Sequence, residues 1–387
     1  MVIAVIPRTQ RAAILTGAYG QPHTIRTNFP VTAPGAGQLL VKLEASGVCK
    51  GDVNPRDGYP PAPPLPNRPL VTGHEGVGIV VAVGDAVLGF NVGDRVGMGW
   101  RSEVCTSCDR CERGDDNLCQ KLKMNGYETN GTFQGACHDP SIGAVERSHN
   151  KPVNYLLEYI TISSSSLIPI PFNTIPATHI APLLCAGGTA LAGLRATGLA
   201  TPGKWVCLTG AAGGVGGLAS RYALHEGLKV VAVDSAQKAD ICKALGVHAF
   251  VDYENADTVV SRIKEATGGS GPHGVVVCSA NPQSYSQAVE YAAVGAHIVS
   301  IGPSMVHLHT GPIMVKGLVL IPQSNANSKI ISEAIRLGVE DHILPEVELV
   351  DLDNIDEVLD RVRDSKTLKK CVIKWWKQLQ VTYLVTK

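Results

Sequence analysis

Four cysteines crowd into one short stretch of the chain, between residues 105 and 119. Their Cys-x2-Cys-x2-Cys-x7-Cys spacing lets four thiolates surround one Zn²⁺ ion tetrahedrally. Because such a cluster leaves no open position for chemistry, the spacing predicts a structural zinc site. The alternatives are ordinary surface thiols or a nucleic-acid-binding zinc ribbon, which needs two separated knuckles and a basic surface, whereas this loop is rich in acidic residues. The predicted ligands are Cys105, Cys108, Cys111 and Cys119.

A glycine-rich turn lies between the apolar stretch WVCLTG and a helix-like segment. Glycines at such a turn let backbone amides approach a pyrophosphate at the N-terminus of the following helix. Asp234 ends the next apolar stretch, 21 residues after Gly213, at the spacing typical of a carboxylate that binds a ribose 2′-hydroxyl. This carboxylate would repel a 2′-phosphate, so we expect NAD rather than NADP. The predicted turn residues are Gly210, Gly213, Gly214, Val215 and Gly216.

Two alternatives to the dinucleotide site stay open at this stage. The turn could connect a strand to a helix without binding a ligand. Asp234 could be a solvated acid at the end of a strand.

Several other residues are of metal-ligating types. Cys49 follows VKLEASGV, His74 and Glu75 lie in GHEGVG, and Cys185 lies in LLCAGG. Taken singly, each is more typical of core packing than of a ligand.

The elements that must position these residues fall into three parts. Residues 1–182 hold short β-like stretches broken by Gly and Pro, which indicates an irregular, mostly β domain. Residues 183–321 alternate apolar stretches with helix-like segments, which predicts a parallel sheet covered on both faces. Residues 322–387 hold more helix and the strand KKCVIKW, and we expect them to return to the first domain and to end in a C-terminal tail, WWKQLQVTYLVTK.

The composition narrows the class of protein. Of 387 residues, 44% are hydrophobic, which excludes a disordered chain. Thirty-four basic residues balance 34 acidic ones, which argues against a nucleic-acid or anionic-membrane binder. The chain shows neither a basic leader nor an apolar stretch of about 18 residues, so we expect no signal peptide and no membrane span. A reducing cytoplasm is the expected location.

The chain resembles the zinc-dependent medium-chain alcohol dehydrogenases of the yeast and fungal type. The resemblance spans nearly the whole chain and rests on VCKGD, GHEGVGIVVAVG, NVGDRV, the four-cysteine loop, GTFQ, LLCAGGTA and GAAGGVG. It implies an α/β protein with a GroES-like, mostly β catalytic domain and a Rossmann domain, and an active-site cleft between them. It also implies a homo-oligomer, either a tetramer or a dimer.

The resemblance further implies a second, catalytic zinc ion held by Cys49, His74 and Cys185. A Cys₂His set with one open position is the known catalytic zinc site of alcohol dehydrogenases. Such a zinc acts as a Lewis acid toward a small alcohol or aldehyde, and hydride passes to or from the nicotinamide. Asp52 matches the acid that orients the zinc-ligating histidine. Glu75 matches a carboxylate beside the metal that can exchange with the zinc-bound water as a ligand.

Two further matches have competing interpretations. Lys50 matches a basic residue that contacts the cofactor pyrophosphate, although it could be a solvated lysine. Trp100 matches an aromatic wall of the substrate pocket, although it could simply pack in the core.

The sequence departs from the family at the proton relay. Gly51 stands where the family has Ser or Thr, and Asn54 stands where it has His. Glycine offers no hydroxyl, and a neutral carboxamide is no base near pH 7. An additional interpretation is that glycine supplies a backbone torsion that threonine cannot adopt. Ordinary alcohol oxidation is therefore in question.

A second departure follows GTFQ, where residues 135–157 intervene before the strand EYITI. The inserted segment is polar and without clear periodicity. Either a lid over the cleft or a translated intron remnant explains it.

The sequence therefore predicts an NAD-dependent zinc alcohol dehydrogenase that interconverts a small primary alcohol and its aldehyde. One alternative is a zinc-containing reductase, or a non-redox enzyme that acts on a carbonyl without the usual relay. The other is a catalytically silent relative that serves in binding.

Overall fold

The computed structural model describes residues 6–58, 68–135, 159–171 and 174–375. The first part of the chain is rich in short strands, as its Gly- and Pro-punctuated sequence predicts. In order, its elements are β1 (Thr9–Leu15), β2 (Thr24–Pro30), β3 (Gln38–Gly47), α1 (Val53–Asp57), β4 (Leu70–Val71), β5 (Glu75–Val83), β6 (Arg95–Met98), β7 (Arg101–Glu103), α2 (Asp109–Glu112), β8 (Lys123–Met124), β9 (Gln134–Gly135), β10 (Tyr159–Ser163) and β11 (Ile168–Pro169).

The second part alternates strands and helices. The first part ends with α3 (Ala177–Ile180), and the elements of the second part are α4 (Ala186–Ala196), β12 (Trp205–Thr209), α5 (Gly214–His225), β13 (Lys229–Asp234), α6 (Ala239–Ala244), β14 (Ala249–Asp252), α7 (Ala256–Ala266), β15 (Gly274–Val277), α8 (Pro282–Tyr291), β16 (His297–Ser300), α9 (Thr310–Lys316) and β17 (Val319–Pro322).

The third part contains α10 (Ser328–Glu340), β18 (Val347–Val350), α11 (Ile355–Arg363) and β19 (Lys370–Lys374). Six short 3₁₀ helices complete the described elements: Lys50–Asp52, Asp116–Leu118, Ser164–Ser166, Ala181–Leu184, Ala236–Lys238 and Leu352–Asn354.

Six strands of the second part form one parallel sheet in the order β14-β13-β12-β15-β16-β17. This is the 3-2-1-4-5-6 order of a Rossmann fold. Val206 and Cys207 are neighbours in β12 but belong to separate buried clusters. Successive side chains of this strand therefore point into two hydrophobic cores, one on each face of the sheet. Both faces of the sheet are thus covered, which explains why its strands are continuous apolar stretches.

The strands of the first part form two larger sheets. One has the order β2-β1-β4, with β9 also paired to β1. The other has the order β11-β6-β5-β3-β19-β18, with β10 also paired to β3. Strand β19 pairs antiparallel with β3, so the end of the chain returns to the first sheet system, as the sequence predicts. The GroES-like, mostly β domain and the Rossmann domain expected from the sequence are therefore both present.

Only Gly135 of the predicted 135–157 insertion belongs to the described residues. The strands on either side of it, β9 and β10, are in contact with each other. The side chain of Gln10 holds both: its Nε2 donates to Gln134 Oε1 and to the carbonyl of Tyr159, each at 2.8 Å. Its Oε1 accepts from the Tyr159 amide at 2.7 Å. One buried carboxamide therefore fixes both ends of the insertion.

Among the described helices, none alone is long and apolar enough to cross a membrane. One bent pair of helical segments is long and apolar enough when its two members are taken together. They are Ala177–Leu184 and Ala186–Ala196, which meet at an angle of 45°.

Candidate active site and metal centres

The carboxylate of Asp52 organises the first part of the site. A 3₁₀ helix, Lys50–Asp52, turns the chain directly after β3 and brings Asp52 back toward Cys49. Asp52 Oδ2 accepts from the Cys49 amide at 2.8 Å, and Oδ1 lies 2.6 Å from His74 Nδ1. Asp52 and His74 are each only 1% exposed. Because Nδ1 is engaged by Asp52, the Nε2 atom of His74 is the one left to bind a metal.

The structure brings together the residues implied as catalytic zinc ligands. One potential ligand atom from each of Cys49, His74, Glu75 and Cys185 lies within 4.8 Å of the others. The Cys49 and Cys185 sulfurs are 3.9 Å apart. A tetrahedral Zn²⁺ with Zn–S bonds of about 2.3 Å separates two sulfurs by about 3.8 Å. The donor set and its spacing therefore fit zinc.

The ionisation of these ligands is interdependent. A hydrogen bond from the Cys185 thiol lowers the pKa of Cys49 well below its usual value, and the same bond together with burial raises the pKa of Cys185. Burial opposes a charged imidazolium, but Asp52 and Cys49 prevail and raise the pKa of His74. Metal binding would have to displace these protons, so it should be pH-dependent.

Glu75 is completely buried, and its carboxylate pairs with Lys370, whose Nζ lies 2.8 Å from Oε1. Burial raises the pKa of Glu75 to about 8 despite the opposing charge of Lys370. The other oxygen, Oε2, has no hydrogen-bond partner among the described residues. A Cβ on Gly47 would lie only 2.0 Å from this oxygen. Position 47 therefore requires glycine because the carboxylate occupies the space of a side chain, and not because the backbone has a positive φ.

The four cysteines of the loop also meet in space, with ligand atoms within 4.8 Å of one another. Cys105 and Cys119 have sulfurs 3.5 Å apart. Between the first two cysteines, Thr106 has φ +56, an uncommon conformation for a β-branched residue. The following amide, of Ser107, donates to the Cys105 sulfur and is the main cause that lowers its pKa to about 6. Amides directed at clustered sulfurs stabilise thiolates, as a structural metal site requires.

The predicted dinucleotide turn opens into a cleft of about 710 Å³ between the two domains. Gly210 has φ +64, and a Cβ on Gly216 would lie 2.1 Å from the Gly210 carbonyl oxygen. The turn thus depends on glycine at both positions. Helix α5 begins at Gly214 without a side-chain cap, so the amides of its first turn are free of intrahelical partners. The whole set predicted from the sequence lines this cleft: Gly210, Gly213, Gly214, Val215, Gly216 and Asp234.

Asp234 lies at the carboxyl end of β13, facing the glycine turn. Its Oδ2 accepts from the Ala212 amide and its Oδ1 from the Ser235 amide, each at 2.9 Å. Because Asp234 is only 6% exposed, the alternative of a solvated acid does not describe it. Each carboxylate oxygen retains acceptor capacity for a ribose hydroxyl.

Lysines line the part of the cleft between the glycine turn and the candidate zinc site. Lys50 is one of them, and loss of hydration together with the charge of Lys238 lowers its pKa. Lys370 is another, and its Cδ would lie 3.5 Å from a Cβ on Gly214. Burial opposes the charge on Lys370, but Glu75 and the nearby thiols raise its pKa, so it stays cationic.

Sequence reasoning missed Lys370 as a functional residue. The sequence indicates this lysine only weakly, because it simply precedes the buried strand residues of KKCVIKW. Only the pairing of β19 with β3 brings it to the cleft.

Trp100 and Gly51 form a wall beside the metal ligands. The Trp100 ring packs edge-on against His74, with centroids 4.9 Å apart and planes at 89°. A Cβ on Gly51 would lie 3.0 Å from His74 Cε1 and 3.5 Å from Trp100 Cζ3. Gly51 does not have a positive φ, so the torsional explanation for this glycine is wrong, and a side chain here would meet the two rings at close range. Asn54 lies one turn further along, in α1.

Comparisons with known proteins agree with this geometry. The alcohol dehydrogenase GroES-like domain matches residues 35–149, and the zinc-binding dehydrogenase domain matches residues 214–340. An alcohol dehydrogenase of Schizosaccharomyces pombe is 33% identical over 298 residues, covering 76% of this chain and 77% of the relative. Alcohol dehydrogenase 2 of Caenorhabditis elegans is 34% identical over 381 residues, covering 96% and 99%.

Solved structures show the same architecture. The crystal structure of an NAD-dependent alcohol dehydrogenase has a TM-score of 0.80 at 25% identity, covering 94% of this chain and 99% of that chain. The alcohol dehydrogenase of Aeropyrum pernix has a TM-score of 0.81 at 23% identity, with the same coverage, which is a likeness of fold. The chain belongs to the zinc-dependent medium-chain alcohol dehydrogenase family. It is an oxidoreductase of the alcohol dehydrogenase type.

Proposed function

We propose that the protein is an NAD-dependent alcohol dehydrogenase with two zinc ions per chain, which interconverts a small primary alcohol and its aldehyde. One observation carries the proposal. A single cleft is lined at one end by Asp234 and at the other by Cys49, with the glycine turn between them. A dinucleotide lying along it would bring its nicotinamide next to the candidate catalytic zinc ligands.

The residues of the chain have separate tasks in this proposal. Cys49, His74 and Cys185 would hold the catalytic zinc, which supplies Lewis-acid polarisation of the substrate oxygen. Asp52 fixes the ring of His74 through the 2.6 Å contact with Nδ1. Asp234 binds the adenosine ribose and disfavours a 2′-phosphate, which supports NAD over NADP.

The pyrophosphate of the cofactor would lie on the amides of the glycine turn. Lys50 and Lys370 line the same cleft and add positive charge. Lys370 also holds the buried Glu75 beside the metal ligands. It therefore connects the cofactor half of the cleft with the metal half.

The four-cysteine loop would hold the second zinc ion. All four positions are filled by thiolates, so its role is structural. Its sulfurs and those of the first cluster belong to free cysteines among the described residues. Free thiols support a reducing, cytoplasmic location, which we propose and which cell fractionation would test.

The missing relay favours a second candidate function. Gly51 offers no hydroxyl and Asn54 no base, so the proton of an alcohol has no side-chain route through these positions. A zinc-containing reductase, or a non-redox enzyme that acts on a carbonyl, would use the same cleft. A catalytically silent relative is the remaining alternative.

One assay separates the two redox candidates from each other and from the non-redox alternatives. NADH absorbance is followed with a panel of primary alcohols and, in reverse, with the matching aldehydes. Turnover in both directions supports the dehydrogenase, and turnover of carbonyls alone supports the reductase. Cofactor binding without any turnover of the panel would contradict both redox functions.

We further propose that the chain forms a homo-oligomer, a dimer or a tetramer. Strand β17 is the last strand of the parallel sheet, and such an edge is a template for pairing with another chain. Its Val319 and Leu320 are 43% and 40% exposed, and the neighbouring helix α9 exposes Met314 and Val315 at 78% and 86%. Light scattering of wild type and Leu320→Lys tests this. A monomeric wild type would contradict it.

A further inference from the structure

Arg101 is a buried cation directly after Trp100 in the chain, with its side chain 4% exposed. Its Nη1 lies 3.3 Å from Asp116 Oδ1 and also donates to the carbonyl of Ala326. Its Nη2 donates to Ser328 Oγ at 3.1 Å. The Nε atom has no hydrogen-bond partner among the described residues. A buried guanidinium with such incomplete pairing depends strongly on its counter-charge.

That counter-charge belongs to the four-cysteine loop. Asp116 lies between Cys111 and Cys119 and begins the 3₁₀ helix that leads into Cys119. It also accepts from the amide of Ser328 at 3.0 Å and from the hydroxyl of the same residue. The position of Asp116 is therefore set by the folded loop, and the loop is docked on the start of α10 and the segment before it.

On its other side, the backbone around Trp100 is hydrogen-bonded to Asn125. Asn125, which is 1% exposed, donates from Nδ2 to the carbonyls of Gly99 and Arg101 at 2.8 and 3.0 Å. Its own amide donates to the carbonyl of Trp100 at 2.9 Å. A Cβ on Gly99 would lie 2.8 Å from the carbonyl oxygen of Leu184, the residue before Cys185.

The three residues 99–101 thus contact both cysteine clusters. Gly99 packs on the chain next to Cys185, and the Trp100 ring packs on His74 at 4.9 Å. Arg101 reaches the four-cysteine loop through Asp116. A movement of that loop would leave the guanidinium without its counter-charge, and the backbone of Arg101 continues directly into Trp100, whose ring faces His74.

We propose that Arg101 is a positioning residue, through which the metal-bound four-cysteine loop fixes Trp100 against His74 and so sets the shape of the substrate pocket. The proposal rests on the proposed function, because it takes the His74 cluster as the place where substrate binds. In this scheme the zinc ion of the four-cysteine loop affects substrate selection as well as stability.

The test compares Arg101→Met with Arg110→Met in the zinc-loaded enzyme. Arg110 is the matched control, since it pairs with Asp115 in the same loop but is 45% exposed. The readouts are zinc per chain, kcat and KM for primary alcohols of increasing length, and hydrogen–deuterium exchange of residues 98–104.

For Arg101→Met we expect two zinc ions per chain, a kcat within about threefold of wild type, and KM values altered at least fivefold, unequally along the series. Exchange of residues 98–104 should rise about tenfold or more. Arg110→Met should resemble wild type in every readout. Unchanged KM values and unchanged exchange in Arg101→Met, or equal effects of both variants, would overturn the proposal.

Three further variants keep the test decisive. If Arg101→Met does not fold, the nearly isosteric Asp116→Asn removes the counter-charge alone, and Arg101→Lys should restore part of the wild-type KM pattern. Cys108→Ser should raise exchange of residues 98–104 in the wild-type background but add little to it in Arg101→Met. If wild type turns over no alcohol or aldehyde, the proposed function fails. Hydrogen–deuterium exchange of residues 98–104 still shows whether the four-cysteine loop fixes the segment around Trp100.

Discussion

The ammonium group of Lys370 lies 2.8 Å from Oε1 of Glu75, although 295 positions separate the two residues in the chain. Both side chains are buried, with exposures of 8% and 0%. Removing one partner of a buried ion pair leaves an uncompensated charge, which is strongly unfavourable. The pair also lies between the glycine turn and the cysteine ligands, so its loss should affect both halves of the cleft.

Lys370→Met should therefore weaken NAD binding. A charge-assisted hydrogen bond contributes about 1.5–3 kcal/mol, so we expect Kd to rise about 10- to 100-fold in a calorimetric titration. Lys374→Met, an exposed position on the same strand, is the control and should bind NAD normally. Equal Kd values for wild type and Lys370→Met would show that this lysine only stabilises Glu75.

The purified protein should contain two zinc ions per chain. Cys108→Ser should lose about one of them and unfold at a lower temperature, because binding of a structural metal is coupled to folding. Metal analysis and thermal denaturation measure both effects. Cys242→Ala, at a buried thiol outside both clusters, should keep both ions. A Cys108→Ser protein with two zinc ions would refute the structural site.

Cofactor preference should depend on Asp234. Asp234→Ser removes the repulsion of a 2′-phosphate and the bonds to the ribose, so the ratio of kcat/KM for NADP over NAD should rise. Asp252 is the matched control, because it pairs with Asp234 in register on the neighbouring strand β14 but does not line the cleft. Asp252→Ser should leave the ratio unchanged. A wild type that already prefers NADP would contradict the assignment of Asp234.

The missing relay should be visible in the pH dependence of the rate. General acid–base assistance contributes about 10²- to 10⁴-fold, so alcohol oxidation should be slow near pH 7 and faster at high pH. Gly51→Thr with Asn54→His should exceed either single change at neutral pH. Gly51→Ala is the control, since its Cβ meets the same ring atoms of His74 without adding a hydroxyl.

The crowding at Gly51 sets a condition on that experiment. A Cβ at 3.0 Å from His74 requires the ring to shift by a few tenths of an ångström, so zinc content must be measured in all variants. If wild type is already fast at pH 7, or the zinc-loaded double variant gains nothing over Gly51→Ala, then proton transfer does not limit this enzyme.

Deletion of residues 135–157 tests the insertion. Because Gln10 holds Gln134 and Tyr159 on either side of it, the shortened chain should still fold, with a melting temperature near that of wild type. An intron remnant predicts unchanged or higher activity, and a lid predicts an altered KM. Transcript sequencing across the junction distinguishes a translated segment from a spliced one.

The four-cysteine loop and the glycine turn could be predicted because their chemistry depends on residue type and local spacing. The cysteines of the loop are close in sequence, and the turn needs glycine at Gly210 and Gly216 for reasons of backbone geometry. The ligand set around His74 required a family pattern, since its members come from three separate parts of the chain.

Other parts of the site could not be predicted from the sequence. Arg101 contacts Ala326 across 225 positions, and Lys370 reaches Glu75 only after β19 has paired with β3. Such partners are determined by the assembled fold, and neither residue type nor spacing indicates them. Gly51 illustrates a related limit, because the two rings beside it are brought there by the fold and no local sequence pattern indicates them.

The contact between Gly47 and Glu75 constrains how this protein can evolve. Any side chain at position 47 would overlap a carboxylate oxygen that lies 2.0 Å from the site of its Cβ. A side chain at position 47 would therefore have to displace the carboxylate that Lys370 holds, whereas Glu75 can shorten first at the cost of leaving Lys370 unpaired. We expect the two positions to change more readily in the order Glu75 and then Gly47, so that descendants that still carry the carboxylate mostly keep the glycine.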